Sequence, residues 1–277
     1  MTGIVQRRIV AEGETTTDMA AIASARALAA AGISARDIDL ILVATITPDL
    51  VFPSTAALLQ ARLGAPTVGA VDLSAACSGF MYGLALADGM IASGRIRTAL
   101  IVGSERMSRL LDWSDRSTCV LFGDGAGAVI LTSAMAPGLR SMCLHADGAT
   151  PDVLRTPSKK SQFLHMDGGA VFKFAVKGLV EAGMETLQAT HLLPDEVDWV
   201  IPHQANQRII DACAIKLKLP KEKVVVTVDR HANTSAASIP LALDTAVVDG
   251  RIRPRDKVLL LSVGGGFTWA GALIEWV

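Results

Sequence analysis

Asp37-Ile-Asp-Leu-Ile-Leu42 returns 159 residues later as Glu196-Val-Asp-Trp-Val-Ile201. Each copy sets an aspartate before a short continuous apolar run, the mark of a strand buried on both faces. Gly94-Arg-Ile-Arg97 returns as Gly250-Arg-Ile-Arg253 at an offset of 156, and Val71-Asp72 as Val228-Asp229 at 157. Three matches in one order at nearly one offset make two copies of a strand–helix unit, far longer than a solenoid period. Halves that repeat in this way pack as pseudo-twofold partners, so equivalent loops face each other and a site forms between them.

The elements around these matches alternate. In the first copy, helical patterns cover residues 17–31, 54–63 and 77–93, and each is followed by a glycine suited to a left-handed cap. Strand patterns cover 39–45, 68–73, 98–103 and 126–131. In the second copy, helices are expected over 171–190, 207–217 and 234–248, and strands over 198–201, 224–229, 258–262 and 270–276. The division falls at residues 1–135 and 136–277.

Composition narrows the function classes. The 277 residues are 51% hydrophobic and 19% charged, which excludes a disordered chain. A chain this long buries roughly three quarters of its unfolded surface, so it folds without disulfides or metals. A net charge of −1 gives no global reason to bind nucleic acid or an anionic membrane. The four cysteines, Cys77, Cys119, Cys143 and Cys213, include no C-x-x-C pair, and no His or Cys spacing suggests a metal site. With no signal-peptide pattern and no long apolar run, a cytoplasmic α/β protein is expected.

Chemistry points to Ala70-Val-Asp-Leu-Ser-Ala-Ala-Cys77-Ser-Gly-Phe80, a strand, a small-residue turn and a helix. A cysteine at a helix N-terminus faces unpaired N–H groups and the helix dipole, which favour a thiolate and lower its pKa by ~1 unit or more. The same N–H groups can hold an oxyanion. The repeat carries Cys77 to the neighbourhood of Asn233 and Ala44 to His203. Cys, imidazole and carboxamide then converge from strand ends, with His231 a rival to His203. His145 reads as a turn residue, and His165 and His191 as loop residues. Gly123-Asp-Gly-Ala-Gly127 lacks the Lys-Ser/Thr of a phosphate loop and runs into a strand. Gly264-Gly265-Gly266 follows a strand and can present bare backbone N–H groups to a ligand.

Taken together, Ala75-Ala-Cys-Ser-Gly-Phe80, Phe122-Gly-Asp-Gly-Ala-Gly-Ala128, Pro202-His-Gln-Ala-Asn206, His231-Ala-Asn-Thr-Ser-Ala-Ala-Ser238 and Gly264-Gly-Gly-Phe-Thr-Trp269 resemble β-ketoacyl-[acyl-carrier-protein] synthase III. The resemblance runs in order over essentially the whole chain. It implies a thiolase-like α/β fold with two pseudo-twofold-related α-β-α-β-α halves, and a homodimer. It implies decarboxylative condensation of an acyl-CoA primer, acetyl-CoA, with malonyl-acyl carrier protein, the step that initiates fatty-acid synthesis. Coenzyme A is then a substrate and no cofactor is required.

Carried onto this chain, Cys77 takes the acyl group and His203 and Asn233 complete the catalytic set. His231 is thereby demoted. The backbone N–H groups of Cys77 and Gly265 form the oxyanion hole. Arg116, Gly168, Phe172, Asn206 and Arg208 line the CoA and carrier arm. Lys173, Arg208, Lys216 and Lys218 form a basic patch for an acidic carrier protein, and Phe52 reaches across the dimer to limit acyl length.

Three departures from the family pattern stand out. The family carries about 35 further residues before the start, including a strand and a Trp and Arg that clasp the CoA adenine. Without them an open sheet edge and weaker CoA binding are expected. Val263 stands where a Phe often precedes the glycine run, and Ala232 replaces a common Gly. Alternatives are a related thiolase-fold condensation with another acyl donor or acceptor, and a catalytically impaired partner subunit.

Overall fold

The apolar run after Asp39 forms β1 (Leu40–Ala44), with every residue buried. The computed structural model describes residues 2–134, 138–157 and 162–277. The first half contains α1 (Thr16–Ala31), β1, α2 (Thr55–Leu63), β2 (Gly69–Leu73), α3 (Gly79–Ala92), β3 (Thr98–Arg106) and β4 (Asp124–Thr132). The second contains β5 (Leu139–Ala146), a short pair β6 (Leu154–Arg155) and β7 (His165–Met166), α4 (Gly168–Thr190), β8 (Trp199–Pro202), α5 (Gln207–Lys216), one turn of helix α6 (Val228–His231), α7 (Ser238–Val248), β9 (Lys257–Gly264) and β10 (Thr268–Glu275). The expected boundary at 135/136 lies outside the described residues.

Two four-stranded sheets result, ordered β2-β1-β3-β4 and β5-β10-β9-β8. β1 runs parallel to β2 and β3, and β4 runs antiparallel to β3. In the second sheet β8 is parallel to β9, and β10 is antiparallel to both β9 and β5. β1, β3 and β4 thus correspond to β8, β9 and β10. The repeated aspartates explain themselves here. Asp39 accepts the N–H groups of Arg97 and Thr98 at 2.8 and 3.0 Å, and Asp198 accepts that of Lys257 at 2.8 Å. Each ties the start of its strand to the start of the neighbour. The repeated glycines end the two central helices: Gly94 and Gly250 take φ of 69° and 70°, where a Cβ is disfavoured.

Alternation along the strands separates three cores. Leu40, Leu42, Val258 and Leu260 face inward onto α3 and α7, where Phe80, Leu84, Ile239 and Leu243 fill the middle layer. Ile41 and Val43 face α1 and α2. Leu259 and Leu261 face α4 and α5. The five-layer α-β-α-β-α order is therefore assembled by the two halves together, each supplying one sheet, one outer helix layer and one central helix.

Several local expectations are corrected. Residues 224–229 do not form a strand: Val224 makes a single bridge to Val200. The Gln204 side-chain carbonyl then accepts the N–H groups of Thr227 and Val228 at 2.8 and 3.1 Å, which turns the chain into α6. His145 lies in β5 and not in a turn, His165 lies in β7, and His191 caps α4 in the left-handed region with φ of 54°. Cys119 sits buried in a turn. Gly125 and Gly127 lie within β4, so that glycine-rich run is a strand and not a phosphate loop. β5 covers the outer edge of β10, but no described strand covers the equivalent edge of β4, whose residues 129–131 remain half-buried. Among the described residues no helix is long and apolar enough to cross a membrane.

Candidate active site

Cys77 sits in the 3-10 turn Ala76–Ser78 that leads directly into α3. The turn is sharp: Ala76 has φ of 47°. Its counterpart is the 3-10 turn Ser235–Ala237 ahead of α7, again with φ of 51° at its first residue. The true offset here is 159, so Ala236 is the structural partner of Cys77 and Asn233 precedes the turn. The end of β9 packs against the nucleophile turn. A Cβ on Gly264 would lie 2.8 Å from the Cys77 nitrogen and 3.0 Å from that of Ser78, so only glycine fits.

The Cys77 thiol is pushed up to about 12 by burial, and the carboxylate of Glu105 adds to the rise. A hydrogen bond with Ser235 and the backbone N–H groups of Cys77 and Gly265 work in the opposite direction. The expected lowering by the helix terminus is thus outweighed by desolvation, and the resting group is a thiol. The two amides that reach the sulfur are the pair expected to form an oxyanion hole.

His203 ends β8. Its backbone N–H reaches Leu261 O at 2.7 Å, and its Nδ1 lies 2.6 Å from Ser238 Oγ, which leaves Nε2 for the cavity. Burial lowers its pKa to about 4, so the ring is neutral near neutral pH. Asn233 is held by backbone bonds to Leu121 and Gly123, both 3.0 Å. Its side-chain oxygen accepts the Ser235 N–H at 2.9 Å, so the NH₂ group is the end left for a ligand.

These three side chains line one cavity of about 460 Å³, together with Gly264, Gly265, Val263 and Phe267. Gly168, Phe172, Lys173, Asn206 and Arg208 line the same cavity, and the Arg208 guanidinium sits 5.3 Å from the centre of the Phe172 ring. Five of the expected arm and patch residues are therefore brought together. Arg116, Lys216 and Lys218 are exposed and do not line it. Phe52, 84% exposed, does not line it either. His231 is half-buried outside the cavity.

Sequence reading missed Ser235, Ser238 and Glu105, which surround the set. The signal for Glu105 was a carboxylate closing an apolar strand, which reads as the strand's exposed end. Elsewhere, Cys143, His145 and Glu185 bring their potential metal-ligand atoms within 4.8 Å of one another. No spacing announced this group, because β5 supplies two members and α4 the third. His145 and Glu185 already pair at 2.6 Å, and burial raises the Cys143 thiol, which disfavours the thiolate a metal needs.

The chain is similar to known proteins along its whole length. The family described as 3-oxoacyl-[acyl-carrier-protein (ACP)] synthase III matches residues 71–148, and its C-terminal family matches 187–276. The β-ketoacyl-[acyl-carrier-protein] synthase III of Laribacter hongkongensis is 53% identical over 282 residues, covering 99% of this chain and 88% of that protein. The enzyme of the same name from Xylella fastidiosa is 53% identical over 284 residues with the same coverage. The crystal structure of 3-oxoacyl-[acyl-carrier-protein] synthase III from Aquifex aeolicus superposes with a TM-score of 0.96 at 46% identity, covering 99% of this chain and 89% of that one. With family matches in both halves and relatives this close over its whole length, the chain belongs to the 3-oxoacyl-[acyl-carrier-protein] synthase III family.

Proposed function

We propose that the protein is an acyltransferase that condenses acetyl-CoA with malonyl-acyl carrier protein, releasing CO₂ and giving a 3-oxoacyl-carrier product that starts fatty-acid synthesis. The observation that carries this reading is the shared cavity. It sets a thiol between two backbone amides and lines the same space with a neutral imidazole and a carboxamide NH₂.

The chemistry follows from those groups. Cys77 attacks the acyl-CoA carbonyl, and the developing oxyanion takes the N–H groups of Cys77 and Gly265. CoA leaves with a proton. The malonyl thioester then enters, with its arm along Gly168, Phe172, Asn206 and Arg208. When Ser238 donates to Nδ1 of His203, the ring proton sits on Nε2. That proton and the Asn233 amide stabilise the thioester oxygen as CO₂ departs and negative charge grows there. An Asn cannot ionise into a repelling anion, and a histidine buried as the neutral form does not need to be recharged. The carbanion attacks the acyl group on Cys77 and restores the enzyme. No cofactor takes part.

Carrier docking at Lys173 and Arg208 on the cavity mouth, extended by Lys216 and Lys218, belongs to the same reading. So does a homodimer in the cytoplasm. The loop residues Leu50, Val51 and Phe52 are 50%, 96% and 84% exposed beside the half-exposed edge strand β2. Apolar exposure of that size next to an open edge suits a second copy. Phe52 would then reach the partner's acyl pocket. The test is formation of acetoacetyl-carrier from acetyl-CoA and malonyl-carrier. The reading predicts product from the native protein and none from Cys77→Ala; absence of product from the native, folded protein would overturn it.

A further inference from the structure

The run Gly264-Gly-Gly-Phe-Thr-Trp269 enters the mechanism above only through the Gly265 amide. It is the tip of a hairpin. β9 ends at Gly264, β10 starts at Thr268, and these two residues face each other in register, so only Gly265, Gly266 and Phe267 lie between them. The tip belongs to the second half of the chain and lies against the turn of the first half that carries Cys77.

Two hydroxyl groups join tip and turn, one from each half. The Thr268 hydroxyl donates to the Ala75 carbonyl at 3.0 Å. The Ser78 hydroxyl donates back to the Thr268 carbonyl at 3.1 Å. Ala75 and Ser78 are the two ends of the nucleophile turn, since the Ser78 N–H also reaches the Ala75 carbonyl at 3.1 Å. Thr268 thus grips both ends of the turn, and Cys77 lies between them. The second half does not need this clasp to hold its own hairpin. The β9–β10 ladder closes it, and Phe267 and Asp147 exchange backbone bonds of 2.6 and 2.8 Å on its other side. What the clasp fixes is the place of the tip relative to the first half.

That relation matters because the two amides of the oxyanion hole come from different halves, Cys77 from the first and Gly265 from the second. An oxyanion is stabilised only where both donors lie about 2.7–3.1 Å from it. The bare Gly264 backbone lets the segments meet closely, but close packing alone does not stop one from sliding along the other. Hydrogen bonds resist sliding because they weaken steeply with angle.

We propose that Thr268 is a positioning residue for acyl transfer: with Ser78 it clasps the Cys77 turn to the glycine hairpin and so sets the spacing of the Cys77 and Gly265 amides that receive the thioester oxygen. This deepens the acyltransferase reading above and rests on it. Thr268 does not line the cavity, so it acts through the backbone it holds and not on the substrate.

Two reactions of Cys77 test the proposal. Acetylation by acetyl-CoA is followed by protein mass after rapid mixing at several acetyl-CoA concentrations. It builds charge on a carbonyl oxygen and needs both amides. Alkylation by iodoacetamide displaces iodide from a saturated carbon. It forms no oxyanion and needs only the sulfur. Thr268→Val keeps the shape and removes the donor, Thr268→Ser keeps the donor, and Ser78→Ala removes the return bond.

Thr268→Val and Ser78→Ala should each slow acetylation at saturation about 30-fold, somewhat less than the roughly 100-fold or more of losing an oxyanion donor outright. Because only the transition state is affected, the half-saturating acetyl-CoA concentration should stay within about twofold of native. Alkylation should stay within about threefold, and Thr268→Ser should acetylate within about threefold of native, since the hydroxyl is retained.

Acetylation at the native rate in Thr268→Val would overturn the proposal. So would equal falls in acetylation and alkylation, the pattern of a displaced sulfur, or a Thr268→Ser protein as slow as Thr268→Val. Ser78→Ala, read by the same two rates, decides the matter if Thr268→Val does not fold. Native protein that is alkylated at Cys77 but takes no acetyl group would instead remove the acyltransferase reading, and this proposal with it.

Discussion

Asn233→Asp changes one atom type and leaves the shape of the site intact. The Asn233 side-chain oxygen is fixed by the Ser235 N–H at 2.9 Å, so the substituted position is the NH₂ that faces the cavity. A carboxylate oxygen placed there removes a donor and adds a negative charge beside the thioester oxygen on which charge develops. At about 4 Å and an effective dielectric of about 20, two unit charges repel by roughly 4 kcal/mol. Partial charge in the transition state reduces this, while loss of the donor adds about 3 kcal/mol. A net barrier increase of about 4 kcal/mol corresponds to roughly 1000-fold in rate. Acylation does not use this amide and should change less than about fivefold by the same conversion. The assay is single-turnover condensation of isolated acetyl-enzyme with malonyl-carrier, beside the acylation rate. Condensation close to the native rate would refute the assigned role of Asn233. A slowdown confined to acylation would refute it equally.

Gly264→Ala forces a methyl against the backbone nitrogens of Cys77 and Ser78, which cannot swing aside. Overpacking of this kind should cost roughly 1–3 kcal/mol, read as a fall in Tm, and an unchanged Tm would contradict the packing described for β9. His203 has a folded pKa of about 4 against 6.5 for the ordinary group. Between those values the unfolded chain binds a proton that the folded chain does not, so this term loses stability as pH falls from 6.5 towards 4, by at most about 3 kcal/mol. Urea unfolding of native and His203→Gln protein at several pH values checks it: the stability gap should change across that window, and the opposite shift of Glu105, which burial pushes up to about 6, cancels in the difference. Val51→Asp places a charge in the exposed apolar loop; on the proposed dimer reading the native protein sediments as a dimer and the variant as a monomer with an intact circular dichroism spectrum, and equal sedimentation of the two would contradict it.

Much of the fold was legible because two rules repeat. Asp39 and Asp198 each precede a buried strand and each tie that strand to its neighbour. Gly94 and Gly250 each close a central helix in the left-handed region. Cys77, His203 and Asn233 stood out because the repeat put all of them at strand ends, and the structure gathers them in one cavity. The repeat was less informative about register. The two 3-10 turns match at an offset of 159, so Asn233 is a near neighbour of the equivalent position and not its occupant.

What was not legible depends on tertiary contacts. Val224-Val-Val-Thr-Val228 has the β-branched content of a strand. It fails as one because the distant Gln204 amide captures the N–H groups that a ladder would use. Glu105 resembled a polar strand end because sequence alone does not show that Thr45, Thr47 and Ser235 close over it. The rise of the Cys77 pKa was hidden for the same reason. Helix position is local and readable, whereas burial of the sulfur comes from both halves together.

Mass analysis of peptides from the folded protein after brief exposure to acetyl-CoA tests most directly whether Cys77 is the acyl carrier. One acetyl group per chain, on the peptide holding Cys77 and absent in Cys77→Ala, is the predicted result. An unmodified Cys77, or acetyl found on Cys119, Cys143 or Cys213 in its place, would contradict it.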